Sequence, residues 1–482
     1  MVKKASFRLR GADNDPRAAA LAVLFRVIHE NADSGAALDA ALSSPRLAPT
    51  DKRLCTELVY GTLRRYIGLH TLVCGFLSDP EGIPAEMRLA LIAAAYEAAF
   101  LRSPHHAAVG WAVGHIRNRF GRVMAGVGNA VLRAVLRNLD AYHAARAAGE
   151  NADAGPAELA TSYDLPEHIV GIWVEAYGSK EIAGLLRASS RAAPSGLRLN
   201  RSRPGWEALR ETVLRDFSDL YAAQGRRVFA VGPCVSAFDG PLPHSARRAV
   251  EEGRASRQSA AAYEVLQALS PENWPQPIWD CCAGRGGKTS ALLEQGIPVA
   301  LATDRSAWRL RVLAAECVRL GIPPALRPLT AALDLTDDAA LSVHICEILK
   351  NASGLYAESS AGAAGQRGGA AFPECFGTIL LDAPCSGLGT LARRPEIRLR
   401  RRQEDLGAAA ARQTRLLENL RPLLKPGGRI AYITCTVNPA ENEGQVAAFL
   451  ARHPGASSGR EFRTPFSSPL GEFFYGVELI KS

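Results

Sequence analysis

The sequence predicts an α/β protein, with a doubly wound, mostly parallel sheet in the C-terminal half and an all-helical region before it. Three observations carry this. From about residue 254, apolar runs of strand length ("QPIWDCCAG", "VALATD", "FGTILLDAP", "GRIAYITC") alternate with helical stretches ("KTSALLEQ", "AWRLRVLAAECVRLG", "LGAAAARQTRLLENLRPLL"). Strands bounded by helices imply parallel pairing through right-handed crossovers. Residues 15 to about 147 instead show helical periodicity and no strand-like alternation. At 482 residues the chain also exceeds one ordinary domain, so two or three are expected.

The helical region, 1–150, begins with "DPRAAALAVLFRVIHE". Asp15 is a candidate N-cap and Pro16 suits the first helical position. Leu21, Leu24, Phe25 and Ile28 then share one face. "DKRLCTELVYGTLRRYIGLHTLVCGFL" repeats the pattern through Leu54, Leu58, Leu63, Leu69 and Leu72, and "EMRLALIAAAYEAAFL" and "GVGNAVLRAVLRNL" follow. Residues 151–253 read as a connecting α+β region without a legible function. Here "YDLPEHIVGIWVEAYG" is a helix entered through a proline, and "SGLRLNRSR" and "RRVFAVGP" are short strands. Residues 254–482 are the α/β domain. Within them the small, polar stretch 351–371, "NASGLYAESSAGAAGQRGGAA", reads as a flexible surface insertion.

Composition narrows the function class. With 47% hydrophobic and 22% charged residues the chain can bury a core in an ordinary soluble balance. It has no uninterrupted apolar run of about 18 residues, so no membrane span is expected. The basic start "MVKKASFRLRGADND" lacks the apolar segment of a signal peptide, which makes the cytoplasm the expected location. A net charge of +9 favours a polyanionic partner. The 10 cysteines are scattered, with no CxxC and no Cys/His cluster at zinc spacing. No metal is therefore expected, and most of these thiols should be buried. His105-His106 reads as a helix-edge pair.

"WDCCAGRGGKTSALL" follows the first strand of the sheet and opens a helix. A phosphate loop, GxxxxGK[ST], would need glycine at Cys282, and a dinucleotide fingerprint, GxGxxG, would need it at Thr289. The remaining reading is the nucleoside-binding turn of S-adenosylmethionine-dependent methyltransferases, where glycines let the backbone approach a ligand without phosphates. Asp304 ends the next strand, about 20 residues beyond the glycines, where an acid can accept both ribose hydroxyls. NAD sites share that acid, and a capped tight turn is the bland alternative. Asp334 in "AALDLTDD" stands where an adenine contact could sit, and could equally cap a helix.

Two cysteines follow neighbouring strands. Cys385 lies just past one strand in "TILLDAPCSGLG", and Cys435 ends the next in "GRIAYITC". Ligands of such sheets bind outside the carboxyl ends of the strands, and paired strands run about 5 Å apart. Two thiols could thus face one substrate, although two unrelated buried cysteines fit the pattern too. Asp382, three residues before Cys385, could hydrogen-bond a heterocycle. Downstream, "RRPEIRLRRR" places Arg393, Arg394, Arg398, Arg400, Arg401 and Arg402 within ten positions. Beside an active site such a strip suits phosphate binding, and otherwise it is a solvated face. Together these features suit methylation at C5 of a pyrimidine. A thiolate added at C6 makes C5 an enamine-like carbon that takes the methyl group, and loss of the C5 proton then releases the thiolate.

"DCCAGRGGKT", "ATDRS", "LLDAPCSGLGTLARRPEIR", "LLKPGGRIAYITCTVNPAENE" and "GEFFYGVEL" resemble, in order, the motifs of the Nop/Sun RNA 5-methylcytosine methyltransferases. "RAAALAVL", "ELVYGTLRR" and "GVGNAVLRAVLRN" are similar to the NusB fold, a helical RNA-binding domain. The pairing points to the bacterial RsmB (Sun, Fmu) branch, which methylates a cytosine of 16S ribosomal RNA, naked or in early assembly. The resemblance implies a Rossmann-like methyltransferase domain, S-adenosylmethionine as cofactor, Cys435 as nucleophile, and Cys385 as the residue that helps break down the adduct. It places Asp382 on the cytosine ring and Cys282, Ala283, Gly284, Arg285, Gly286, Gly287 and Lys288 in the cofactor loop. Asp304 would hold the ribose, Asp334 would lie near the adenine, and Asp382 would border the cofactor. The chain departs from the family in two places. Arg285 replaces the proline of CAAPGGKT, and the usual QD pair is Gln258-Ser259, which removes an acidic contact. An RNA-binding or antitermination factor with a degenerate enzyme domain is the alternative. DNA cytosine methylation, which uses the PC-motif cysteine, leaves Thr434-Cys435 and the helical domain unexplained.

Overall fold

The structure is a computed structural model that describes residues 11–149, 154–222, 224–336, 345, 348 and 374–482. The insertion expected at 351–371 lies outside the described residues. The chain forms two compact units, Met1–Ala192 with Leu391–Arg401, and Ala193–Thr390 with Arg402–Ser482.

Among the described residues the first unit is all helical. Its helices are Pro16–His29, Ser34–Leu42, Pro49–Cys74, Ala85–Phe100, His105–Arg137, Leu139–Ala148, Pro156–Tyr163, Glu167–Tyr177 and Ala183–Ser189, with the single turn Ile397–Arg400 returning from late in the chain. Asp15 caps the first helix, its carboxylate accepting from the backbone N–H groups of Arg17 and Ala18, with Pro16 behind it. Leu21, Leu24, Leu58, Leu63 and Leu69 are buried in one core, and Phe25, Ile28, Leu54 and Leu72 pack partly buried around it. The helix Ala85–Phe100 is buried along most of its length, which is why its sequence is apolar on nearly every side.

Two buried charges organise this unit. The Asp164 carboxylate accepts from Gly68 N at 2.9 Å and pairs with Arg65 at 3.2 Å and with Arg146. Arg398, 1% exposed, donates to the carbonyls of Arg64 (2.7 Å), Asp164 (3.1 Å), Ser189 (2.8 Å) and Pro395 (3.2 Å). The planar guanidinium suits such a ring of acceptors.

The second unit holds two sheets. The smaller contains β1 (Ser195–Leu199), β2 (Val228–Val231), β3 (Val235–Phe238) and β4 (Ala255–Arg257), in the antiparallel order β2-β3-β1-β4. The larger contains β5 (Ile278–Asp280), β6 (Leu301–Asp304), β7 (Leu329–Ala332), β8 (Phe376–Asp382), β9 (Leu424–Thr434), β10 (Ser457–Arg463) and β11 (Tyr475–Ile480). Its order is β10-β11-β9-β8-β5-β6-β7, parallel from β9 to β7 and antiparallel at β10 and β11. The doubly wound α/β class read from the sequence is therefore present, with an antiparallel edge added. Residues alternate between two cores: Trp279, Ile379, Leu381, Ile430 and Tyr432 face one side, and Ile278, Leu380, Ala431 and Ile433 the other.

The second of those cores runs on without a break into Leu197, Phe217 and Phe238 of the small-sheet region. Residues from 193 to 253 thus belong to the same unit as the large sheet, while the helices between 156 and 189 belong to the first. The shared core ties residues 193–253 to the large sheet, and the contacts of Asp164 and Arg398 tie the helices between 156 and 189 to the first unit. The winding reverses between β5 and β8, and such a switch point opens a crevice at the strands' carboxyl ends. Asp280, Asp304, Asp382 and Thr434 end four of the strands there.

Replacing Arg398 with leucine should strip several buried carbonyls of their donor. A loss of about 2–4 kcal/mol in unfolding free energy is expected. Arg402→Gln, at a side chain 82% exposed, should leave the denaturation curve unchanged. Urea denaturation of the two variants checks the contrast.

Candidate active site

The turn after β5 is shaped by its neighbours. Gly284 (φ 57°) and Gly286 (φ 86°) adopt left-handed backbone that favours glycine. Ala283 N donates to Thr303 O at 2.9 Å, and Gly284 N donates to Asp304 Oδ2 at 3.1 Å, so the turn is tied to the end of β6. Asp304 is buried, and its other oxygen accepts from Ser306 N at 2.8 Å. Nothing lies within 4 Å of where a Gly284 Cβ would project, which leaves open space beside this backbone. At the foot of the turn Asp280 is 1% exposed; Oδ2 accepts from Thr289 Oγ1 at 2.6 Å, and Oδ1 has no hydrogen-bond partner among the described residues. Burial pushes the Asp280 carboxyl up to about 7 against that hydrogen bond. An open glycine cradle with an orphaned buried acceptor and an acid at the next strand fits a cofactor carrying an ammonium and ribose hydroxyls.

Lys288, in the first turn of the helix Gly287–Leu293, points to the end of β8. Its Nζ lies 2.5 Å from Asp382 Oδ2 and 5.7 Å from the centre of the Phe474 ring. Burial lowers the Lys288 pKa, but the charge of Asp382 and its hydrogen bond outweigh burial and leave it raised. The charge of Cys435 acts on Lys288 in the same direction.

The two cysteines meet. β8 and β9 pair in parallel, with Asp382 opposite Ile433, and Ala383 N donates to Ile433 O at 2.8 Å. The loops beyond then run side by side and bring Cys385 Sγ to 3.3 Å from Cys435 Sγ. The Cys385 thiol is raised well above its ordinary pKa by the hydrogen bond with Cys435, by burial, and by the charges of Cys435 and Glu441.

A family model described as 16S rRNA methyltransferase RsmB/F matches residues 266–471, and the NusB family model matches residues 14–137. The ribosomal RNA small subunit methyltransferase B of Vibrio vulnificus is 31% identical, over 96% of this chain and 99% of its own. The probable ribosomal RNA small subunit methyltransferase B of Synechocystis sp. is 30% identical, over 95% of this chain and 93% of its own. The chain belongs to the RsmB/F family of ribosomal RNA small subunit methyltransferases. The crystal structure of PH0851 shares the fold, with a TM-score of 0.70 and 20% identity over 100% of both chains.

As a member of that family the chain is an S-adenosylmethionine-dependent rRNA methyltransferase, which removes the alternative of a factor with a degenerate enzyme domain. Among the described residues no helix is long and apolar enough to cross a membrane.

The other residues singled out from the sequence fall unevenly in this methyltransferase. Arg285, in place of proline, stacks 5.0 Å from the centre of the Trp308 ring. Asp334 is exposed just past β7, with Oδ1 accepting from Thr336 N (3.0 Å) and Thr336 Oγ1 (2.7 Å). Of the arginine strip, Arg393 to Arg401 fold with the helical unit and Arg402 with the other. Arg398 is buried, and Arg400 donates to Val27 O (2.7 Å) and Ala32 O (2.6 Å). Arg398 thus has all three guanidinium nitrogens on carbonyls, and Arg400 commits its Nη2 to two. Arg394 pairs with Asp33 at 3.4 Å, and Arg402 with Glu404 at 3.5 Å.

Three residues escaped the sequence reading. Buried Arg198 on β1 holds the glycine turn from behind, donating to Glu294 (2.8 Å), Ser290 Oγ (2.9 Å), Gly287 O (3.1 Å) and Gln258. Its only signal was a charged residue amid leucines in "SGLRLNRSR". Glu472 accepts from Ser259 Oγ at 2.7 Å, so a carboxylate reaches the Gln258-Ser259 pair from a distant segment. Gly389 N donates to Cys435 O at 3.0 Å, and a Cβ at Gly389 would lie 2.0 Å from Phe473 O.

Gly389→Ala should therefore shift the Cys435 loop and lower kcat about 100-fold, since a displacement of about 1 Å costs that much. Retained kcat would show that the loop yields. For Asp280, a raised pKa means that the folded protein holds the proton more tightly than the unfolded chain. Its contribution to stability is present at acid pH and lost as pH rises from about 4 to about 7. The melting temperature of Asp280→Asn should thus gain on the native chain over that window and hold a constant offset above it. Parallel melting curves across pH would refute the assignment.

Proposed function

We propose that this rRNA methyltransferase transfers the methyl group of S-adenosylmethionine to C5 of a cytosine in 16S rRNA through a covalent cysteine–C6 adduct. The observation that carries the proposal is the meeting of the two thiols, 3.3 Å apart, at the carboxyl end of β8 and β9. A single nucleophile would need one thiol. A C5 methylation that proceeds through an adduct needs one group to attack and another to help the adduct break down.

Cys435 is assigned the attack. Its thiolate adds to C6, and the electrons of the C5–C6 bond move to C5. Bound in the cradle formed by Cys282 to Lys288, with Asp304 at the ribose and Asp334 towards the adenine, the cofactor would supply a sulfonium methyl group, which C5 takes as S-adenosylhomocysteine leaves. Removal of the C5 proton restores the double bond and expels Cys435. Cys385, kept protonated by its surroundings, is a poor competitor for the attack; it is assigned to the release as the thiol that donates to the departing Cys435 thiolate, while the C5 proton passes to water. Asp382 is placed to accept from the cytosine edge, and the Lys288 ammonium beside it can stabilise charge that develops on the ring. The exposed arginines Arg394 and Arg402, with Arg393 and Arg401, remain candidates for the RNA backbone, in naked RNA or an early assembly intermediate. The chemistry draws on no metal.

Labelled-methyl transfer to protein-stripped small-subunit rRNA tests this. Cys435→Ala should abolish both methylation and the covalent protein–RNA species. Cys385→Ala should accumulate that species on a denaturing gel. A Cys435→Ala chain that still methylates, with no adduct from Cys385→Ala, would sink the assignment.

A further inference from the structure

We propose that Glu441 is a positioning residue for this chemistry, its buried carboxylate clamping the loop that carries Cys385 to the loop that carries Cys435. The inference rests on the covalent reading above for its functional meaning, and on geometry for the clamp itself. Glu441 is fully buried, at 0% exposure. Its Oε2 accepts from Ser386 N at 2.8 Å and from Gln413 Nε2 at 3.0 Å. Its Oε1 accepts from Asn438 Nδ2 at 3.0 Å and from Thr436 Oγ1 at 3.5 Å.

Those partners flank the reacting sulfurs. Ser386 follows Cys385 and Thr436 follows Cys435, and the two hydroxyls lie 2.7 Å apart. Gln413, from the helix Gln403–Leu420, also donates to Pro384 O at 3.2 Å, so the residues on both sides of Cys385 are held. Tyr432, on β9, donates to the Glu441 carbonyl at 2.7 Å and fixes the clamp to the sheet. All four partners of the carboxylate are donors. Only a side chain with acceptors at both ends satisfies them, and a glutamine would turn an NH2 group toward two of them. Beside the clamp, the two loops are joined next to their cysteines by the Ser386–Thr436 contact, by the hydrogen bond from Gly389 N to Cys435 O and by the thiols themselves.

The test uses Glu441→Gln and Gln413→Ala in the full chain, with two readouts. One is steady-state methylation of stripped rRNA. The other needs no RNA: diamide, a two-electron oxidant, converts two adjacent thiols to a disulfide, and the peptide pair joined through Cys385 and Cys435 is quantified by mass spectrometry. Glu441→Gln should lower kcat about 100-fold while leaving KM for S-adenosylmethionine within about twofold, and should slow the disulfide about tenfold. Gln413→Ala should move both readouts in the same direction by less. A folded Glu441→Gln chain that keeps kcat and disulfide rate within about twofold overturns the clamp. If Glu441→Gln does not fold, Gln413→Ala decides, and an unchanged disulfide rate overturns the proposal. Because the diamide reaction needs no RNA, and Gln413→Ala leaves the Glu441 charge in place, the clamp is tested even where Cys435→Ala still methylates and the covalent reading fails.

Discussion

The parallel pairing of β8 with β9 is the constraint on which the site depends. Neither strand is remarkable by itself, since each is an apolar run that fits a sheet covered on both faces. Their register sets Asp382 against Ile433 and starts both cysteine loops from the same level of the sheet. A slip of one residue would exchange Leu381 and Tyr432 with Leu380 and Ile433 between the two cores, so the burial of large side chains on both faces locks the register. The closeness of the thiols thus follows from packing far below them.

The crevice is finished by polar contacts that packing alone would not supply. Arg198 and Glu294, both nearly inaccessible, form a two-pronged ion pair behind the glycine turn, and the same guanidinium reaches Gly287 O and Ser290. A buried pair of this kind adds little net stability but penalises any arrangement that separates it. It therefore specifies where the turn sits. The small four-stranded sheet, which carries Arg198, has a part in positioning the glycine turn through this contact and through its shared core. In the helical unit Arg398 does for three segments what Arg198 does for the turn, with carbonyls in place of a carboxylate.

Legibility in the sequence followed the range of the interaction. Asp15 and Pro16 announced a helix start because capping is satisfied within three residues. Gly284, Gly286 and Asp304 announced the turn because left-handed backbone and a strand-end acid are local requirements. The burial of part of the arginine strip was not legible because charge density says nothing of direction. Arg398 and Arg400 are as cationic as Arg402, yet carbonyls from distant segments draw them inward. The Gln258-Ser259 departure looked like a missing acid because Glu472, which reaches Ser259, is 213 residues away.

By itself the sequence determined the two fold classes, the glycine turn after β5 and the identity of the two cysteines and the acid, since periodicity, turn chemistry and residue type are written in short windows. The tertiary structure alone decided that the thiols touch, that Lys288 pairs with Asp382 across two strand ends, and that Glu441 joins the loops. These contacts link residues separated by 50, 94 and 55 positions, and only the register of a buried sheet and the closure of its cores can bring such residues within hydrogen-bond distance.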